Sequence, residues 1–281
     1  MATRFSLSGE DAKYCLTKLR EQSPDLYLSC LLLAEEIRSP VTVLHTFHSE
    51  ITRITLAAPE PLAGEVRLQW WMDALNRQRD DEAALNPLAR SLLALIEEHN
   101  LPTSVLVSKL EAHIFDLYSD PMDGTRTLEA YLGETRSVLF QLAALIADSD
   151  GAPAASDASG HAGMATGCVA ILENLARHRA QRRAYLPSDM LKKCGTSVEQ
   201  LLTNVDTPQT NAVLAFADTA EEHHHRAKAA LEGVSTAIRP VFAPLTLVPL
   251  YLTRIRKNPQ KTLTGMPPIS QIRRQWALWR G

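Results

Sequence analysis

At 281 residues and a formal net charge of −3, the chain has the length for one large domain or two small ones. Hydrophobic residues at 45% are ample for a packed core, while 6% aromatics and only 12 glycines argue against a sandwich, a barrel or a glycine-rich nucleotide fold. The longest apolar runs, such as Cys30 to Ala34, fall far short of the roughly 20 residues that span a bilayer, so no membrane-spanning helix is expected.

The opening MATRFSLSGEDAKYC has neither an apolar stretch nor a small-residue cleavage pattern, so no secretion signal is expected. Cys15, Cys30, Cys168 and Cys194 are widely spaced without a CxxC pair and read as reduced thiols of a cytosolic protein. Leu44, Phe47, Ile51 and Ile54 step by three, four and three, which places them on one helix face. The rhythm continues through Leu92 and Ile96, Leu101 to Leu106, and then Leu128, Leu132, Leu139, Leu142 and Ile146. Thr210 to Leu231 is alanine-rich and free of Pro and Gly, a strong helix signal. Prolines 24, 40, 59, 61, 87, 102, 121, 187, 208 and 240 read as junctions between helices. Asp148 to Gly160 and Asn258 to Pro268 read as loops. No stretch alternates like a strand. The expected fold is therefore all-α: a single-domain packed bundle over residues 1–281, of about ten to twelve helices.

Charge is unevenly placed. No Asp or Glu follows Glu232, whereas Arg239, Arg254, Arg256, Lys257, Lys261, Arg273, Arg274 and Arg280 do. A basic tail on an acidic body suggests an anionic partner, or simply a solvated terminal helix. Within that tail, Ile269, Ile272, Trp276 and Trp279 again step by three, four and three, flanked by Arg273, Arg274 and Arg280. Residues 258–281 thus read as a loop plus a basic amphipathic helix, suited to a lipid headgroup layer or to docking on the helical body.

Standard catalytic motifs are missing: there is no P-loop, GxSxG, HExxH or dinucleotide fingerprint. The run His223-His224-His225 invites a metal reading, but consecutive helical residues diverge by about 100° and cannot converge on one ion. No metal site is expected there. Trp70 and Trp71 cannot both face one core, so one should pack and the other line a groove or the surface.

Three segments carry more information: YLSCLLLAEEIRSPVTVLHTFHSEITRI with the following GEVRLQWWMDAL, then GMATGCVAILENLARHRAQRRAYLPSDMLKKCG, then VPLYLTRIRK. In this order and spacing they resemble the squalene/phytoene synthase family over most of the chain. RRAYLPSDML before a Gly is similar to the family's RGRIYLP signature, and RLQWW to its RLxWWR helix, with Met72 in place of the Arg. The resemblance implies an isoprenoid-synthase fold. It also implies a chemistry in which two Asp-rich motifs hold Mg²⁺ ions against a departing diphosphate, a task for hard carboxylate oxygens.

Aligned on Phe47, the first motif's aspartates correspond to Thr52, Arg53 and Leu56; aligned from Tyr185-Leu186-Pro187, the second motif's correspond to Asn174 and His178. None is a carboxylate, and Arg53 would repel a metal. Glu50 and Glu173 lie off the required face and read as ion-pair partners. Arg182, Arg183 and Tyr185 match the family's basic-aromatic, phosphate-facing patch, or else form a helix C-terminus. The form of the first segment resembles the branch holding the mitochondrial complex I assembly factors and their bacterial relatives.

The expectation from these residues is a catalytically degenerate, assembly or lipid-associated factor without catalytic residues or a cofactor. Its expected partners are a membrane surface or a respiratory-complex subunit and an isoprenoid ligand, with no nucleic acid. Arg182, Arg183 and Tyr185 are the candidate ligand contacts; Arg273, Arg274, Trp276 and Trp279 are the candidate membrane or partner contacts. Expected residence is cytoplasmic or peripheral to the inner membrane. Two rivals stand beside this reading. One is a Mg²⁺-dependent prenyl-diphosphate transferase with an atypical site; the other is an isoprenoid- or quinone-binding module.

Overall fold

Where helices begin in this chain is set by proline and by short polar side chains. Pro24, Pro61, Pro87 and Pro259 each occupy the first helical position, where the absent N–H costs nothing. Ser8, Asn86 and Ser197 accept hydrogen bonds from backbone N–H groups of the first turns they precede, and Asp206 with Gln209 forms a reciprocal capping box. Pro40 departs from this pattern. It is the sixth residue of the Glu35–Ala57 helix and so does not mark a junction; Glu35 and Glu36 occupy the first turn, where acidic side chains favour the helix dipole.

The computed structural model describes residues 8–58 and 60–280. Among them are eleven α-helices of eight or more residues, six shorter ones of six or seven, and no strand. The all-α expectation holds. Of the two stretches read as loops, each contains helix. Ala152–Ala155 is a 3₁₀ turn, and Ser156–Glu173 starts inside the first, with Asp157 in its opening turn; Pro259–Thr264 interrupts the second. Gly, Pro, Asp and Ser mark helix starts as readily as loops, which is why composition misplaced these ends.

The described residues group into two compact units, each drawn from three separated stretches. The first comprises Met1–Leu117, Val138–Ser156 and Gly233–Ala243; the second comprises Tyr118–Ser137, Asp157–Glu232 and Pro244–Gly281.

The first unit is organised on the Glu35–Ala57 helix, against which Gly9–Gln22, Pro87–Glu98 and Val138–Ala147 pack. Leu44, Phe47, Ile51 and Ile54 are all buried, as their spacing requires. Phe47 meets the buried Trp71 edge to face at 5.1 Å, and Phe140 stacks on Phe242 at 5.3 Å.

The second unit holds all but the first residue of Ser156–Glu173, together with the long helix Thr207–Ala230. Close approach at Gly163 makes the first of these possible. A Cβ there would stand 2.4 Å from the backbone of Ser137, and one at Gly167 would meet the Leu132 side chain at 2.6 Å. Two small residues one turn apart on the helix thus admit the π-helical turn Gly133–Ser137 against it. Arg256 bridges Asp218 and Glu221 at 2.7 Å and fixes the Val248–Lys257 helix to the long helix.

Candidate functional site

The residues to which the family resemblance assigns metal binding fall on two helical segments, one in each unit. On the Glu35–Ala57 helix, the Thr52 hydroxyl donates to the carbonyl of His48 at 3.0 Å, one turn back on its own helix. Arg53 folds onto Glu50 through two bonds of 2.6 and 3.0 Å, which raise the guanidinium's already high pKa. Leu56 supplies only carbon and is half-buried. Glu50 is therefore an ion-pair partner, as its off-face position implied.

Beside this segment lies an open cleft of about 340 Å³, lined by Tyr14, Glu50, Arg53, Arg67, Trp70 and Asn86 among others. Trp70 and Trp71 divide as their adjacency requires. Trp71 is buried against Phe47, while Trp70 stays at the cleft and donates its indole N–H to Glu82 at 2.8 Å.

The second segment is built differently. The Ser156–Glu173 helix ends at Asn174, whose φ of −101° and ψ of 5° leave the helical range, and Leu175–Ala180 resumes beyond it. The Asn174 amide donates to the Ala170 carbonyl at 2.9 Å. His178 is buried with its ring 4.6 Å from that of Tyr185, which lies 5.9 Å from the ring of Tyr131. Arg182 adopts a left-handed φ of 55° and turns its side chain to the exposed Glu199 at 2.9 Å. Of the candidate ligand contacts, Tyr185 thus joins His178 in a buried aromatic group, Arg182 is ion-paired at the surface, and Arg183 is half-buried. Glu173 pairs with Arg254, both side chains about one-fifth exposed.

Neither segment has the donor set that Mg²⁺ requires. A hard ion takes carboxylate and phosphate oxygens; here are two hydrogen-bonding groups engaged with their own helix, a guanidinium, an alkyl chain and an imidazole packed on tyrosine. Among the described residues no group of three or more His, Cys, Asp or Glu is placed to hold a metal ion. Of the histidine run, His223 faces His161 at 2.8 Å, His224 is buried and His225 is exposed, the divergence expected along a helix.

Two features escaped the sequence reading. Arg179 donates to the carbonyls of Leu201, Asn204 and Leu263, gathering three chain segments, and burial lowers its pKa. The other is a polar network in the interior of the first unit. Lys109, fully buried, lies 3.2 Å from His113, which in turn lies 2.6 Å from Asp116. His48 approaches His113 with rings 6.2 Å apart. His45 is held neutral, its pKa pushed down to about 4 by burial and then by the charge of Lys109. Lys109, His113 and Asp116 recur at helical spacing, but a lysine in that pattern reads as a solvated side chain. Burial of the thiols raises Cys15 to about 11 and Cys168 to about 12, so neither is a ready nucleophile.

The squalene/phytoene synthase family profile matches residues 19–280. The chain belongs to the squalene/phytoene synthase family. Within it the chain is similar to proteins named NADH dehydrogenase (ubiquinone) complex I, assembly factor 6. The one from Bos taurus is 28% identical over 251 residues, which cover 89% of this chain and 75% of that one. The one from Homo sapiens is 27% identical over 245 residues, covering 87% and 73%. Among solved structures, a dehydrosqualene synthase in complex with ligand superposes with a TM-score of 0.81 at 14% identity, covering 96% of this chain and 95% of that one. That likeness is one of fold.

Proposed function

We propose that this chain is a catalytically silent squalene/phytoene synthase-family protein that serves the assembly of a membrane respiratory complex of the NADH dehydrogenase type. The observation that carries this is its similarity, over most of both chains, to proteins named as assembly factors of that complex. The site chemistry supports the silent half of the reading. Ionising a prenyl diphosphate needs its leaving charge neutralised, and oxyanion stabilisation of that kind is worth several kcal/mol in related chemistry. Thr52, Arg53, Leu56, Asn174 and His178 provide no carboxylate for it.

No cofactor belongs to this reading; Mg²⁺ would matter only to prenyl transfer, which is not favoured. The family match across 19–280 supports treating residues 1–281 as one squalene/phytoene synthase-like domain. Among the described residues no helix is long and apolar enough to cross a membrane.

The test is genetic and biochemical. Deleting the chain's gene in its own host should lower the amount of assembled NADH dehydrogenase on native gels, and re-expression should restore it. Unchanged levels and activity of that complex in the deletion strain would overturn the assembly role.

A further inference from the structure

Part of the tail's positive charge is spent within the protein. Arg254 pairs with Glu173, Arg256 with Asp218 and Glu221, and Arg239 bonds the Val234 carbonyl. Arg273 and Arg280, by contrast, form no ion pair among the described residues, and both are exposed on the Gln271–Arg280 helix.

That helix carries its apolar side chains on two opposed faces. Leu278 is buried and ties it down, as does Ile269 just before its start. Ile272, Trp276 and Trp279 point the other way and are 78%, 53% and 75% exposed. The four residues that read as a single apolar stripe are therefore split, and docking on the body is achieved by Leu278 and Ile269 instead. At about 100° per residue, Ile272, Trp276 and Trp279 fall within a narrow stripe, with Arg273 and Arg280 along one flank and Leu278 roughly opposite. The two indole rings lie 5.6 Å apart, and the Arg280 guanidinium sits 4.5 Å from the centre of the Trp276 ring.

We propose that the outward face of the Gln271–Arg280 helix is a docking surface for an anionic lipid bilayer, with Ile272, Trp276 and Trp279 entering the headgroup layer and Arg273 and Arg280 against acidic headgroups. Three observations favour lipid over a protein partner. Indole rings at an apolar edge prefer the membrane interface. The flanking charge is uniformly positive, since no acidic residue follows Glu232. Finally, three side chains on a helix of 10 residues fall well below the roughly 800 Å² per partner of a stable protein interface. A bilayer needs no such area, because it can also engage basic groups around the contact. The surface goes beyond the proposed assembly role and does not depend on it.

The test is co-sedimentation of the full chain with vesicles of phosphatidylcholine alone and of phosphatidylcholine mixed with phosphatidylglycerol. Binding should appear with the mixed vesicles only and weaken as salt rises, since exposed charges are screened beyond roughly 8–10 Å near physiological ionic strength. Each cation removed from the surface should weaken partitioning roughly fivefold, so the double variant Arg273→Gln/Arg280→Gln should lose about 30-fold. Trp276→Ala with Trp279→Ala should lose on the order of tenfold or more. All four side chains are exposed, so thermal melting of each variant should match the parent. Absence of binding to mixed vesicles, or binding by both double variants as strong as the parent's, would overturn the proposal. So would a parent chain that ignores vesicles and sediments as a dimer dissociated by the tryptophan substitutions, which would give the face to a second copy.

Discussion

The interior of the first unit and the terminal helix of the second invert the usual distribution of side chains. One buries Lys109, His113, Asp116, His45 and His48; the other exposes Ile272, Trp276 and Trp279. Buried ionic groups are costly unless paired, and exposed indoles lose the burial that favours them in cores. The two departures differ in what compensates them. Inside, the compensation is local: Lys109, at zero exposure, lies against His113, which in turn pairs with Asp116. At the tail, among the described residues, the indoles are met by each other and by Arg280 over Trp276, which leaves their outer surface available to another phase. The network is thus an internal structural element, and the terminal face is an outward one.

Breaking the buried side of this comparison should have the largest effect. Asp116→Ala leaves Lys109 and His113 without their acidic neighbour and should cost on the order of 3–5 kcal/mol, read as a drop in the urea midpoint. Replacing Lys109, His113 and Asp116 together by apolar residues of similar volume should recover most of that loss. A triple variant as unstable as the single one would mean that the network does more than pair its own charges.

Acid should sharpen the same comparison with an effect next in size. His45 ionises near its usual 6.5 when unfolded and at about 4 when folded. The unfolded chain therefore binds the extra proton first, and the stability that comes from a neutral His45 is full above pH 6.5 and lost as pH falls toward 4. The integrated loss is on the order of 3 kcal/mol. His45→Leu should flatten the urea midpoint over that window, and an unchanged slope would remove His45 as the titrating group.

The exposed side should give the smallest stability effect. Trp276→Ala and Trp279→Ala should each change stability by no more than about 0.5 kcal/mol, because neither completes the core. A loss of several kcal/mol on calorimetry would place these rings in the packing after all.

The sequence made the apolar skeleton legible where period and helix coincide. Leu44, Phe47, Ile51 and Ile54 share a buried face, and the alanine-rich stretch Thr210 to Leu231 follows the Thr207–Ala230 helix to one residue past its end. It is silent on positions whose environment depends on distant chain. Lys109 has the composition of a surface residue and is buried only because the folded unit encloses it. Arg182 matches a phosphate-facing pattern, and what the pattern could not show is that Glu199, seventeen residues on, pairs with its guanidinium. In the tail, spacing alone could not reveal that the helix begins after Ile269, which separates that residue from the tryptophan stripe. At the candidate site the residue types were legible from the family pattern; the bonds turning Thr52 and Asn174 back on their own helices needed coordinates.

The central claim, a family fold kept without its prenyl-transfer chemistry, is tested most directly by diphosphate release. Purified full-length protein should be incubated with farnesyl or geranylgeranyl diphosphate and Mg²⁺, and released diphosphate and hydrocarbon product measured against a protein-free control. If Thr52, Arg53, Leu56, Asn174 and His178 stand at the five family metal positions, as the resemblance aligns them, release should not exceed that control. Sustained release of diphosphate with formation of a joined isoprenoid product, abolished by a chelator, would contradict it.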